Sequence, residues 1–276
     1  RIRAEKAAIC RAEQEKEQEQ RINRMNMSFF ANVSHEFRTP LTMIAGPVRQ
    51  LCEAPDITGE NKNLLVIVWR SVERMLRLVN QMMDFNKLEN DALKLKVRPA
   101  DIVGFLRHMT DVFRINAGDK GINLIITGLE DSYTLWLDED KVEKIFTNLM
   151  GNALKFTPAG GKIRVSFDVI TRAKAASLFP LTVSDCDTQW VEICVSNTGP
   201  SIPPAQRDKI FERYYQVNAP DGTGKYNYGT GIGLYYARNL VRLHHGYIKN
   251  ADPDEGEGTQ FIFILPVNAL SYTDEE

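Results

Sequence analysis

No stretch of this 276-residue chain approaches the ~20 consecutive apolar residues that a membrane-spanning helix requires. The longest such run, Leu64 to Trp69, is part of an amphipathic pattern. Nor does one sign of charge prevail: 34 Lys and Arg stand against 36 Asp and Glu, and the net charge of -2 argues against a nucleic-acid partner read through a basic face. Cysteine is sparse and scattered. Cys10, Cys52, Cys186 and Cys194 form no Cys-x-x-Cys pair and have no histidine at ligand spacing, so free thiols in a reducing compartment are expected. The chain opens on Arg rather than Met and carries no signal-peptide pattern, which points to an excerpt of a longer protein. Internal repeats and low-complexity tracts are also lacking.

Residues 1–27 contain no Gly or Pro and are dense in Arg, Lys, Glu and Gln, a composition that favours a solvated helix. Their apolar positions (Ile2, Ile9, Ile22, Met25) make only a weak seam. From Phe30 the pattern sharpens: Phe30, Val33, Phe37, Leu41, Ile44, Val48 and Leu51 alternate steps of three and four, the spacing of a helix packed in a bundle. Pro55 and Gly59 break the run, and Leu65, Val68, Val72, Met75, Val79 and Met82 form a second seam. Two such helices form an antiparallel hairpin that cannot enclose a core alone, so pairing with a second copy into a four-helix bundle is expected.

After Asn90 the character changes. Helices are predicted over Asp101–Ala117, from an N-cap at Asp138 to about Phe156, and over Leu234–Leu243, ending near Gly246. Strands are predicted at Ile122–Thr127, Tyr133–Leu137, Lys162–Val169, Val191–Ser196 and Gln260–Leu265. Without regular βαβ alternation, these elements predict an α+β sandwich. Thr171 to Gln189 shows no period and reads as a variable hairpin excursion.

The string Ser34-His35-Glu36-Phe37-Arg38-Thr39-Pro40 lies inside the first seam. His35 is two residues from both Val33 and Phe37, about 200° around the helix from each, so it faces away from the bundle core. Thr39 shares its face, and Glu36 can take the Nδ1 proton, leaving Nε2 as a nucleophile. Pro40 costs about 3 kcal/mol in a helix interior, and a bend beside a reactive side chain is a reason to keep it.

A second group of motifs suits a nucleotide. Asn148 and Asn152 are four apart on one helix face, where neutral carbonyl oxygens can reach a partly hydrated Mg²⁺. Lys155 is placed for phosphate oxygens, and Phe156 offers a ring beside a base. Ser196-Asn197-Thr198-Gly199-Pro200-Ser201-Ile202 follows a strand. In Phe211-Glu212-Arg213-Tyr214-Tyr215-Gln216, the guanidinium of Arg213 suits a transferring phosphoryl group. Gly229, Gly231 and Gly233 open a helix whose free amides can hold phosphate, and the preceding Val217 to Tyr228 has the composition of a mobile lid. Gly256-Glu257-Gly258-Thr259-Gln260-Phe261 is a tight turn into the last strand.

These strings, in this order, resemble the phosphoacceptor, asparagine, first-glycine, phenylalanine and second-glycine boxes of the sensor histidine kinases. The resemblance implies a dimerisation and phosphotransfer hairpin over residues 28–92 and a Bergerat-type (GHKL) ATP-binding domain over 97–268. Residues 1–27 would then be a signalling linker, and 269–276 a tail toward a following domain. It implies that His35 is phosphorylated from Mg·ATP, with Glu36 as a base and Thr39 orienting water for dephosphorylation of a partner. Nucleotide contacts are implied for Asn148, Asn152, Lys155, Phe156, Asn197, Gly199, Arg213, Gly229, Gly231, Gly233 and Thr259, with Mg²⁺ held by Asn148 and Asn152. Two departures stand out: Asn197 occupies the place of an Asp that accepts the adenine amino group, and Ser201 replaces a Gly.

The implied partners are a second copy of the chain and a receiver domain carrying the accepting aspartate, with no direct nucleic-acid contact. The variant strings Asn197-Thr198-Gly199-Pro200-Ser201-Ile202-Pro203-Pro204 and Phe211-Glu212-Arg213-Tyr214-Tyr215-Gln216 resemble those of the hybrid kinases of Bacteroidetes, which implies the cytoplasmic part of an inner-membrane protein with a receiver fused behind it. A chaperone-like Bergerat ATPase and a degenerate scaffold are the competing readings.

Overall fold

The computed structural model describes residues 33–34, 36–54, 56–89, 93–181, 189–217, 231–252, 258–268 and 272. The run-in over 1–27, His35, Gly229 and the expected lid beyond Val217 lie outside the described residues. The chain divides at Leu93–Lys94 into two compact units.

The first unit is the expected hairpin, with helix α1 over residues 36–53 and α2 over Gly59–Glu89. Gly59 opens α2 at a φ of 63°, where a side chain would be strained. Pro40 sits within α1, and two residues on, Thr42 Oγ1 donates to the Arg38 carbonyl at 2.8 Å, a bond of the kind that bends helices. The Arg38 guanidinium ties the two helices together, donating to Asn80 Oδ1 at 2.8 Å and meeting Met83 Sδ at 2.7 Å. Only part of the two seams is covered: Leu41 and Val72 are buried, whereas Phe37 is 58% exposed and Ile44, Leu51, Val68 and Met75 are exposed as well.

The second unit is a two-layer α+β sandwich. Its elements are β1 (Arg98–Asp101), α3 (Ile102–Asp119), β2 (Asn123–Thr127), β3 (Thr134–Leu137), α4 (Glu139–Phe156), β4 (Lys162–Thr171), α5 (Arg172–Leu178), β5 (Gln189–Asn197), α6 (Gly233–Leu243), β6 (Tyr247–Ala251) and β7 (Thr259–Pro266). Two 3₁₀ turns, Pro204–Gln206 and Lys209–Phe211, precede α6. The main sheet runs β2-β4-β5-β7-β6, with β2 parallel to β4 and every other pair antiparallel; β1 and β3 form a separate antiparallel ribbon. In register, Val191 faces Leu265, Ile193 faces Phe263 and Val195 faces Phe261, and all six side chains are buried.

Three elements differ from the sequence expectation. The segment from Thr171 is not irregular throughout: Thr171 Oγ1 caps α5, which packs its Ala175 with Phe179 against Trp190, Ile170, Ile262 and Ile264. Seven residues with one small buried side chain carry no readable period. Strand β1 buries only Ala100 and holds Pro99, which an edge strand tolerates. Strand β6 also lies at the sheet edge, and only Asn250 in it is fully buried.

Candidate functional site

Two antiparallel helices supply the frame. In α4, Val142, Ile145, Phe146, Leu149, Met150, Ala153 and Leu154 form the buried stripe, leaving Asn148 and Asn152 half-buried on its flank and Lys155 exposed. In α6, Tyr236, Ala237, Leu240 and Val241 are buried. His244, at the end of α6, is fully buried: the Asp138 amide donates to its Nε2 at 3.2 Å, and its Nδ1–H donates to the Leu240 carbonyl at 2.8 Å. Burial away from water lowers its pKa from 6.5 to about 4, so the ring is neutral. Asp138 caps α4 through the Lys141 amide and makes a buried ion pair with Lys141 Nζ at 2.5 Å. Burial opposes its ionisation, but hydrogen bonds from Lys141 and from the Lys96 amide outweigh that and hold the carboxyl below its ordinary range. The start of α4 is thereby fastened to the end of α6.

At the opposite ends of these helices the motif residues converge. Asn148 Nδ2 donates to the Lys144 carbonyl at 2.8 Å, and Gly233 lies against its Oδ1, so that a Cβ on Gly233 would stand 2.7 Å from that oxygen. Gly199, with φ 151°, packs on the end of α4: a Cβ there would lie 2.5 Å from the Phe156 carbonyl oxygen. Lys155 Nζ sits 4.5 Å from the Phe156 ring centre. Asn197 is buried at the end of β5, and its Nδ2 donates to the Thr198 carbonyl at 3.1 Å. Thr259 is buried beside it in β7, and its hydroxyl donates to the Pro200 carbonyl at 3.0 Å.

Arg213 is held at the other side. Its guanidinium lies 5.2 Å from the ring centre of Tyr235 in the first turn of α6. The next residue, Tyr214, has φ 60°, a costly conformation for a side-chain-bearing residue, and its amide donates to the Gly231 carbonyl at 3.0 Å. Gly231 in turn must be glycine, because its φ is 68° and a Cβ would stand 2.6 Å from the Tyr214 carbonyl carbon. The structure thus pairs Asn148 with Gly233, groups Phe156, Gly199, Asn197 and Thr259 through direct contacts, and sets Arg213 with Gly231 beside the start of α6. Glu36 and Thr39 belong to the first unit, both exposed on α1.

The donor set fits magnesium of the kind carried in on a nucleotide. The Asn148 bond to Lys144 uses the amide nitrogen and leaves Oδ1 as the side chain's oxygen donor. Among the described residues no group of three or more His, Cys, Asp or Glu could hold a metal alone. One or two neutral oxygens suit a hard cation whose other ligands are phosphate oxygens and water. Several structural roles were not visible in the sequence. Arg38 is a tie between helices, His244 is a pin between α4 and α6, and the Arg238 guanidinium lies 5.6 Å from the Phe211 ring centre. Only a histidine ending the apolar stripe of α6 hinted at the second.

Comparison with known proteins agrees with this geometry. Residues 25–91 match the His Kinase A (phospho-acceptor) domain family, and residues 137–269 match the histidine kinase-, DNA gyrase B- and HSP90-like ATPases. Histidine kinase P4 of Formosa agariphila is 33% identical over 95% of this chain, which covers 18% of that protein. Sensor histidine kinase WalK of Bacillus subtilis is 32% identical over 90% of this chain, covering 38% of its own length. Full-length ShkA, solved in complex with AMPPNP, superposes with a TM-score of 0.64 at 29% identity, covering 87% of this chain and 45% of that one. The chain therefore spans less than half the length of each of these relatives.

Proposed function

The chain belongs to the sensor histidine kinases, and from that premise we propose that it transfers the γ-phosphoryl group of ATP to His35 and passes it on to an aspartate of a receiver domain. The observation that supports it is the meeting of four separated motifs, through Asn148 with Gly233, Phe156 with Gly199 and the Asn197 strand end with Thr259. In the transfer, the Nε2 lone pair of His35 bonds to the γ-phosphorus while the bond to the β–γ bridging oxygen breaks and ADP leaves with its electrons. Glu36 takes the Nδ1 proton, so that the phosphorylated ring carries no added positive charge.

Lys155 and Arg213 offset charge on the transferring oxygens, Phe156 lies beside the base, and Asn197 accepts from the adenine amino group with Oδ1. The glycines at 229, 231 and 233 bring backbone amides close to the phosphates. Asn148 and Asn152 would hold magnesium, which would supply further charge neutralisation. Thr39 orients water for dephosphorylation of the receiver.

The working unit is a homodimer, since the exposed seam of Phe37, Ile44, Leu51, Val68 and Met75 has the pattern of an unfinished bundle core. Residues 1–27 would bring the signal, 28–92 the acceptor histidine, 97–268 the nucleotide and 269–276 the connection onward. No described helix is long and apolar enough to cross a membrane. Attachment to the inner membrane would reside elsewhere in the parent protein.

Incubation with γ-labelled ATP and Mg²⁺ tests the proposal. Wild type should acquire an acid-labile, base-stable label and His35→Gln none. Undiminished labelling of the variant, or an unlabelled folded wild-type dimer, refutes it.

A further inference from the structure

The loop after β5, residues 198–203, carries Gly199 and Ser201 and is fastened on several sides. Thr198 bridges to the start of β4: its hydroxyl accepts from the Lys162 amide at 2.8 Å, and its own amide donates to the Lys162 carbonyl at 2.9 Å. Gly199 rests on the end of α4, and the Pro200 carbonyl accepts from Thr259 Oγ1. Arg207 Nε donates to the Ile202 carbonyl at 3.4 Å. Ser201 contributes the only side-chain bond made from the middle of the loop among the described residues: its Oγ accepts from the Gly258 amide at 3.3 Å. Gly258 sits directly on Asn197, since a Cβ there would lie 2.0 Å from the Asn197 carbonyl oxygen. A continuous line of contact therefore runs from Ser201 through Gly258 to the residue proposed to read the base.

We propose that Ser201 is a positioning residue for the nucleobase pocket: its hydroxyl locks the loop to the β7 entry and holds Asn197 ready for the adenine amino group. The inference rests on the nucleotide reading of this pocket. The physical need for such a lock lies in Asn197 itself. A neutral amide oxygen makes a weaker hydrogen bond to an amino group than a carboxylate does. Its Nδ2 is already turned onto the Thr198 carbonyl, which fixes the direction of Oδ1 only while the loop backbone stays in place. A loop ordered before binding spares the nucleotide the entropy of ordering it. Glycine at position 201 would remove the bond to Gly258 and also free the backbone. Alanine would remove the bond alone.

Calorimetric titration of the full chain with a non-hydrolysable ATP analogue and Mg²⁺, paired with autophosphorylation kinetics, tests the assignment. Ser201→Gly and Ser201→Ala should each weaken binding and raise KM for ATP by about tenfold, a loss of one hydrogen bond with its ordering. The rate at saturating ATP should stay within about twofold of wild type, because the loop acts on base binding and not on transfer. Ser201→Thr keeps the hydroxyl and should restore wild-type affinity. Affinity unchanged in Ser201→Ala overturns the proposal, as does a lowered saturating rate with KM unchanged, or a threonine variant as weak as alanine in a protein of unaltered melting temperature. Failure of the wild type itself to bind the analogue strikes the nucleotide reading instead, so the two failures are distinguishable.

Discussion

Protonation of His244 should unfasten the second unit as pH falls. The ring is fully buried between the start of α4 and the end of α6, with Nε2 accepting from the Asp138 amide and Nδ1 donating to Leu240. A proton on Nε2 would destroy the first bond and place a charge where water cannot reach it, beside the Lys141 ammonium. The folded-state pKa of about 4 lies well below the ordinary 6.5. Because the folded protein binds this proton less readily than the unfolded chain does, stability is whole above pH 6.5, falls as pH drops below it, and levels off near pH 4. At about 1.4 kcal/mol per pH unit of separation, the loss comes to about 3 kcal/mol. Asp138, with its carboxyl held below the ordinary range, contributes a loss at still lower pH. Urea unfolding in a Trp69→Phe background, followed by fluorescence of Trp136 and the buried Trp190, reports on the second unit alone. His244→Gln keeps a donor and an acceptor but cannot take up a proton in this range. Wild type should lose stability between pH 6.5 and 4 by about 3 kcal/mol more than the glutamine variant. Parallel curves would refute the reasoning.

Two further outcomes follow from the geometry. Gly233→Ala places a methyl group 2.7 Å from Asn148 Oδ1, forcing the amide from its position, and nucleotide affinity measured by calorimetry should fall about tenfold or more; wild-type affinity would show that this amide plays no part. Ile44→Asp puts a charge on the exposed apolar seam of α1, and sedimentation should show a monomer where the parent chain is a dimer; persistence of the dimer would remove that seam from the interface.

The readable elements were those whose local and tertiary demands coincide. Helix α4 was legible at both ends because Asp138 caps it and because seven buried apolar residues keep helical spacing throughout. Strands β4, β5 and β7 are central and rich in apolar residues, so burial dominates their sequence. The hairpin was legible because its two seams are long and keep helical spacing. Where an element is short or lies at an edge, too few residues are buried to leave a pattern: β1 shows only Ala100, and α5 only Ala175. The site followed the same division. Asn148 and Asn152 share a helix face through spacing alone, whereas the approach of Gly233 to Asn148 depends on how α6 docks on α4.

By itself the amino-acid order determined the helical hairpin, the class of the second unit and the motifs of the candidate site, because caps, periods and turns act over a few neighbours. Only the tertiary structure decided that Ser201 would meet Gly258, that Arg38 would cross to Asn80, and that His244 would sit neutral under Asp138. Those contacts join residues far apart in the chain, and no local rule of spacing specifies which distant backbone amide or carboxamide a side chain will find once the layers close.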